Sequence, residues 1–489
     1  MKLSEVLRGV TVDVPFDPAL EIEDIAYDSR KATAGTMFVC LSGVRTDGHI
    51  FATNAYATGC RVFLCEKPID VPADAVVLTC ADTRAALAVC SVNFFRNPAK
   101  DIKVIGITGT KGKTTTAHII KAVLDQAGIP TGIIGTVGVA FLDRRLPTVN
   151  TTPESYELQK LLRMMADAGC KAAAIEVSSL GLKSHRVDGL QFAAAVFTNL
   201  YPDHIGTNEH ATFEEYAYWK KQLFYQCDFA LLCSDDPFSA QIREICTCPV
   251  CTYGFDPAAD YRLSDVRQIK RDNLLGVAFS AAYGAGTQDF FASLPGAVNA
   301  LNCVAAIAIA KQFSVSDDVL QESLSHVSVK GRGEVVPTGT DFSVIIDYAH
   351  NGVSLKSMID TLRTYEHNRI IALYGSVGSR TEIRRQELGL VSGALCDLTI
   401  VTSDDPDFED PQHIVDEIAR YVEEAGGKHV DIVDRAEAIR YALSIAEPGD
   451  ILLLAGKGHE EFMKVKGEKL PFSEKQVIFD YLKERKNHG

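Results

Sequence analysis

Thr108-Gly-Thr-Lys-Gly-Lys-Thr114, set between the apolar run Ile102–Thr108 and the amphipathic stretch Thr115-Thr-Ala-His-Ile-Ile120, constrains this chain more than any other segment. An apolar run that short predicts a buried strand, and the stretch after it predicts a helix. A glycine loop between them turns backbone N–H groups outward, and the helix N-terminus adds partial positive charge, so the unit is built to hold phosphate. In that geometry Lys113 reaches the β/γ oxygens of a nucleoside triphosphate, and the Thr114 hydroxyl is placed to ligate Mg²⁺. The predicted nucleotide-binding residues are Gly109, Thr110, Lys111, Gly112, Lys113, Thr114 and Thr115. The spacing departs from GxxxxGK[ST], which calls for glycine at position 107. Ile107 stands there, with glycines at 106 and 109.

A chain of 489 residues with 46% hydrophobic and 23% charged side chains has material for about three globular domains. Asn97-Pro98 breaks any helix ahead of the phosphate loop, which predicts a small α/β domain over residues 1–100. Apolar runs at 171–177 and 191–198, with a helical stretch at 155–168, predict a doubly wound parallel-sheet domain over 101–330. Strands near 342–346, 370–374, 398–401 and 451–454, with helices from about Ser354, Pro411 and Arg435, predict a Rossmann-like domain over 331–489. The expected fold is therefore a three-domain α/β protein.

A formal charge of −15 repels a phosphate backbone and argues against nucleic-acid binding, while a local basic cleft still admits small phosphates. No apolar stretch approaches the ~20 residues of a membrane helix, and the N-terminus lacks a leader pattern, so a cytoplasmic protein without membrane insertion is expected. Thirteen scattered cysteines fit reduced thiols. Cys246, Cys248 and Cys251 cluster, but a closed zinc site wants a fourth ligand.

The form TGTxGKT resembles the Mur ligase family, ATP-dependent enzymes that join amino acids to the cell-wall precursor. Further blocks follow in that family's order over essentially the whole chain: Asp28-Ser-Arg30, Asp47-Gly-His49, Asn150-Thr-Thr-Pro153, Glu176-Val-Ser-Ser179, His185-Arg186, Asp203-His204, Gly331-Arg-Gly-Glu334, Asp347-Tyr-Ala-His350 and Gly456-Lys-Gly-His-Glu460. The resemblance implies an enzyme of small-molecule substrates, acting as a monomer. It adds an L-diamino acid to the D-Glu γ-carboxylate of UDP-N-acetylmuramoyl-L-alanyl-D-glutamate through an acyl phosphate, with ATP and Mg²⁺. It implies metal ligands at Thr114, Glu176, His204 and Lys220, the last as a carbamate, and catalysis by these groups with Lys113. The alternatives to these roles are a strand-end cap for Glu176, a loop pair for Asp203-His204 and a solvated helix lysine for Lys220.

By the same resemblance Asn299, Asn302, Arg332 and Asp347 reach the nucleotide, and Ser29, Arg30, Asn150, Thr151, Thr152, Ser178, Ser179 and Arg186 bind the UDP-sugar and dipeptide. Arg384, Asp404, Asp405, Asp407, Gly456 and Glu460 bind the amino acid. The family's diaminopimelate enzymes carry Asp-Asn-Pro-Arg where this chain has Asp404-Asp-Pro-Asp407. An acid in place of that arginine favours a side-chain ammonium, so L-lysine is expected, with ornithine or meso-diaminopimelate as alternatives. Leu180 replaces the family's usual histidine after Glu176-Val-Ser-Ser179. A D-alanyl-D-alanine-adding ligase and a non-catalytic nucleotide-binding paralogue are the competing readings.

Overall fold

The computed structural model describes all residues except 44–45, 204, 207–208, 272–273, 380–381 and 489, and the backbone alone at 486–488. The chain forms two compact units, Met1–Asp260 with Ala305–Val315, and Tyr261–Val304 with Ser316–Gly489.

Unit one opens with a four-stranded parallel sheet, Asp24–Ala26, Thr36–Val39, Val62–Cys65 and Val76–Thr79 in spatial order. The helix Thr83–Phe94, capped by Asp82, follows it. A larger sheet then places parallel strands in the order Val250–Gly254, Ala230–Cys233, Ala194–Phe197, Lys103–Thr108, Ala172–Glu176 and Thr131–Gly135, with the antiparallel strands Gly138–Phe141 and Arg144–Leu146 at its edge. The central strands are buried on both faces, which is why they read as unbroken apolar runs. The helix Ser155–Asp167 buries Tyr156, Leu158, Gln159, Leu162 and Met165, one face at helical spacing. Tyr156 also donates to Asp24 Oδ1, tying the first sheet to the second.

Unit two holds a six-stranded sheet in the order Glu334–Val336, Ser343–Asp347, Ile451–Ala455, Ile370–Tyr374, Leu398–Val401 and His429–Asp431, parallel except at its first strand. Its strands bury alternate residues in two cores. Ile345, Ala372, Val401 and Leu453 enter one, and Ile346, Ile371, Ile400 and Leu452 the other. A feature absent from the sequence reading is the antiparallel meander Tyr261–Arg271, Leu274–Tyr283 and Gly286–Ala292, whose outer strands mix polar and apolar residues around a buried apolar middle strand. The hairpin Phe462–Val465 with Glu468–Pro471 is likewise new.

All thirteen cysteines are unpaired and nine are buried. Cys227 and Cys248 approach to 3.5 Å between sulfurs, and burial pushes the Cys227 thiol far up. Among the described residues no helix is long and apolar enough to cross a membrane.

Candidate active site

Three adjacent parallel strands of unit one, Lys103–Thr108, Ala172–Glu176 and Ala194–Phe197, end together, with Ile107 opposite Glu176 and Thr108 opposite Phe197. Carboxyl ends of parallel strands are where open α/β sheets bind ligands. The structure explains the unusual glycine spacing. Gly106 is a packing residue, since a Cβ there would meet the Phe192 ring at 2.8 Å. The loop glycines are Gly109 and Gly112, with φ of +147° and +87°, a region L side chains avoid. The loop is held from the neighbouring strand end. Asn199 Oδ1 accepts from the Lys111 N–H at 2.8 Å, and the Thr198 hydroxyl donates to the Lys111 carbonyl at 2.7 Å.

From Gly112 the helix Lys113–Gln126 begins. The Lys113 ammonium turns back onto the carbonyls of Gly109 and Thr110, at 2.8 and 3.0 Å. Lys220, on the helix Phe213–Lys221, donates to the same Gly109 carbonyl at 2.7 Å and is 1% exposed. Two lysine nitrogens on one oxygen repel, and burial adds to this, so Lys220 is held well below the ordinary lysine range by desolvation first and Lys113 second. Sequence reading took a solvated helix lysine as the alternative; the structure buries it.

Glu176 is fully buried. Its carboxylate accepts from the Thr114 hydroxyl at 2.8 Å and from the Thr136 N–H and hydroxyl at 2.9 and 3.1 Å. Thr136, which sequence reading missed, continues to Thr151 at 3.1 Å. Next to it Thr152 bridges the Glu176 carbonyl and Ser178, Arg186 donates to the Thr152 carbonyl and pairs with Glu154, and Ser179 meets buried His210 at 2.9 Å. Thus Thr151, Thr152, Ser178, Ser179 and Arg186 form one connected polar wall leading from Glu176. Asn150 is exposed, and Thr115 half-buried. His204 lies outside the described residues. In the first sheet domain Arg30 is exposed and forks onto Asp28, whose carboxyl it holds below the usual range, with Ser29 between them.

Unit two carries the remaining predicted residues. Asn299 donates to the Pro295 carbonyl and accepts from Asn302, so this pair organises the start of the helix Val298–Gln312. Asp347 accepts the N–H groups of Gly333 and Ala349 at 2.7 and 2.8 Å, while burial raises its carboxyl. The Arg332 guanidinium lies 4.8 Å over the Tyr348 ring. Gly331 is obligatory at its position, since a Cβ would come within 2.1 Å of the His459 nitrogen.

At the carboxyl ends of the strands Leu398–Val401 and Ile451–Ala455, Asp404, Asp405 and Glu460 bring carboxylate oxygens within 4.8 Å of one another. The cation among them is Lys457, fully buried, with Nζ 2.7 Å from Asp405, 2.9 Å from Glu460 and 3.5 Å from Asp404. Close approach of Asp404 also explains Gly456, where a Cβ would meet Asp404 Oδ2 at 2.5 Å. The adjacent arginines divide. Arg385 is buried and paired to Glu409 and Glu417, whereas Arg384 is half-buried and has no ion-pair partner among the described residues.

Three family profiles match the chain in succession: the Mur ligase family, catalytic domain, over residues 21–99, the Mur ligase middle domain over 107–310, and the Mur ligase, glutamate ligase domain over 331–458. The chain belongs to the Mur ligase family. As a Mur ligase it is an ATP-dependent, amide-forming enzyme. It is 37% identical to a protein of Caldanaerobacter subterraneus subsp. tengcongensis and 36% identical to one of Clostridium perfringens, each covering 99% of both chains. Both are named UDP-N-acetylmuramoyl-L-alanyl-D-glutamate–2,6-diaminopimelate ligase. A solved structure of a ligase with that name matches with a TM-score of 0.73 and 26% identity over 99% of each chain.

One expectation meets a different arrangement in this Mur ligase. Asp407, read as open to an incoming ammonium, is already engaged: Lys464 Nζ lies 2.5 Å from Oδ2, and the Gly467 N–H donates to Oδ1 at 2.8 Å. Lys464 carries no motif, and only the hairpin brings it there.

Proposed function

We propose that this Mur ligase uses MgATP to join 2,6-diaminopimelate to the γ-carboxylate of the D-glutamyl residue of UDP-N-acetylmuramoyl-L-alanyl-D-glutamate. The names of its relatives support that amino acid over L-lysine, and the occupied carboxylate of Asp407 weakens the case for lysine. The observation that carries the catalytic reading is the meeting of Lys113, Lys220, Thr114 and Glu176 at the ends of adjacent strands.

A carboxylate oxygen of the dipeptide attacks the γ-phosphorus, the bond to the β-phosphate oxygen breaks, and ADP leaves. The amine nitrogen then attacks the acyl carbon of the mixed anhydride, phosphate departs with the bonding electrons, and the nitrogen sheds a proton. Lys113 exchanges its loop carbonyls for the β/γ oxygens and meets the charge that builds there, aided by the N-terminal end of the helix Lys113–Gln126. The Thr114 hydroxyl and Glu176 carboxylate, hard oxygen donors one hydrogen bond apart, fit Mg²⁺. His204 and a carbamate on Lys220 would add to that set, and the ion when bound would neutralise phosphate charge. A buried amine that gives up its proton easily is the form that captures carbon dioxide, which supports the carbamate.

Arg30 with Ser29 is proposed to hold the uridine nucleotide, and Asn150 with the wall of Thr151, Thr152, Ser178, Ser179 and Arg186 the dipeptide. Asn299, Asn302, Arg332 and Asp347 are assigned to ATP, and Arg384, Asp404, Asp405, Gly456 and Glu460 to the amino acid. L-lysine stays as a second reading because an acid, Asp407, replaces the arginine of the diaminopimelate pattern.

Phosphate release from MgATP and the UDP-muramoyl dipeptide, with diaminopimelate, L-lysine or L-ornithine added separately, tests the proposal. Turnover with diaminopimelate is expected. Turnover with lysine alone would replace the main reading by the second. Silence with all three, from protein that binds ATP, would mark a non-catalytic paralogue.

A further inference from the structure

The acidic cluster of unit two reads as a place for ammonium groups, yet diaminopimelate also carries a second carboxylate at its far end. Lys457 cannot receive it. Its ammonium is fully buried, hydrogen-bonded to Asp405 and Glu460 and 3.5 Å from the Asp404 carboxylate, so its charge is already matched within the cluster.

The hairpin supplies another cation. The Lys464 N–H donates to Asp405 Oδ1 at 2.8 Å, which fixes its backbone against the cluster. Side chains alternate along the strand Phe462–Val465, and Phe462 lies on the cluster's face, with the Lys457 ammonium 5.1 Å from its ring centroid. Lys464 therefore shares that face. Met463 and Val465 point the other way and line a separate groove of about 700 Å³. The hairpin is stitched in register: the Asp407 N–H donates to the Lys464 carbonyl at 3.0 Å, and the Lys466 N–H to the Asp407 carbonyl at 2.7 Å. These bonds hold Asp407 at a φ of +52° with both carboxylate oxygens filled. Asp407 takes one of the three Lys464 donors, and the side chain is 41% exposed, so the others face outward.

We infer that Lys464, steered by Asp407 on the rim of the Asp404–Asp405–Lys457–Glu460 cluster, is the specificity-determining cation that receives the distal carboxylate of the amino acid. Aspartate at 407 thus orients a lysine where the diaminopimelate pattern has an arginine. The inference rests on the diaminopimelate reading above. A lysine substrate would bring its ammonium against Lys464 and be repelled.

The test is steady-state kinetics of Lys464→Met and Lys464→Gln, the second keeping a hydrogen bond to Asp407, with ATP, dipeptide and amino acid varied in turn. Loss of one charge-assisted contact predicts a KM for diaminopimelate raised about 10- to 100-fold. kcat and the KM values for ATP and dipeptide should move by less than about threefold, and Lys464→Arg should restore most of the loss. A diaminopimelate KM unchanged in both variants overturns the inference and leaves the function standing. A wild-type enzyme that uses lysine and not diaminopimelate overturns the function first, and this inference with it.

Discussion

At the scale of single residues, the chemistry turns on what burial does to charge. Lys220 is placed where an ammonium is poorly solvated and faces a second ammonium, so the folded protein releases this proton well before the unfolded chain does. Between the lowered folded value and the ordinary lysine value near 10.5 the unfolded chain binds more protons, so this group makes stability rise with pH across that window. Lys220→Met should remove the effect. In carbon-dioxide-free buffer, the stability of wild type relative to the variant should climb by up to about 1.4 kcal/mol per pH unit inside the window. Chemical denaturation at several pH values measures it, and parallel curves would show that Lys220 keeps its proton.

Elements position these residues through contacts that admit few alternatives. The phosphate loop passes so near the end of the strand Ala194–Phe197 that a Cβ on Gly109 would sit 1.9 Å from Thr198 Oγ1 and 3.1 Å from the backbone of Asn199. Gly109→Ala should therefore cost about 3 kcal/mol, read from the urea midpoint, and adding Thr198→Ala should restore part of it. A neutral Gly109→Ala would mean that the loop relaxes freely. A second device joins the first residues of two helices in unit two. Arg435 is fully buried, pairs with Glu474 at 2.8 Å, and donates to the carbonyls of Ser403 and Ala455, the residues just before Asp404 and Gly456. Burial pushes the Glu474 carboxyl up despite this partner. Arg435→Met alone should cost about 3–5 kcal/mol by stranding the acid, whereas Arg435→Met with Glu474→Leu should cost less. Strictly additive losses in that double-mutant cycle would rule the coupling out.

Across the whole molecule, the sheets are built from strands legible as apolar runs, and the three-domain α/β class follows from their alternation with helices. The cysteines follow the same logic of burial, with nine of thirteen inside and raised thiols such as Cys40, pushed up to about 12. Thiol titration of protein denatured without reductant should count thirteen, and a lower count would reveal a disulfide. The meander over 261–292 was not legible, because Tyr261–Arg271 and Gly286–Ala292 mix charged and apolar residues without strict alternation, and the apolar run Leu274–Tyr283 between them has no period that tells strand from helix.

By itself, the sequence determined what depends on local chemistry and short-range pattern. The phosphate loop and the strand runs follow from residues near one another in the chain, and the ligase class from the resemblance that the ordered motifs carry. What only tertiary structure decided is which charges meet across long separations. Lys220 shares an oxygen with Lys113 although 107 positions separate them, and Asp407 is matched by Lys464 from a hairpin 57 residues on. Charge interactions depend on distance in space and on exclusion of water, and neither is written in the order of residues.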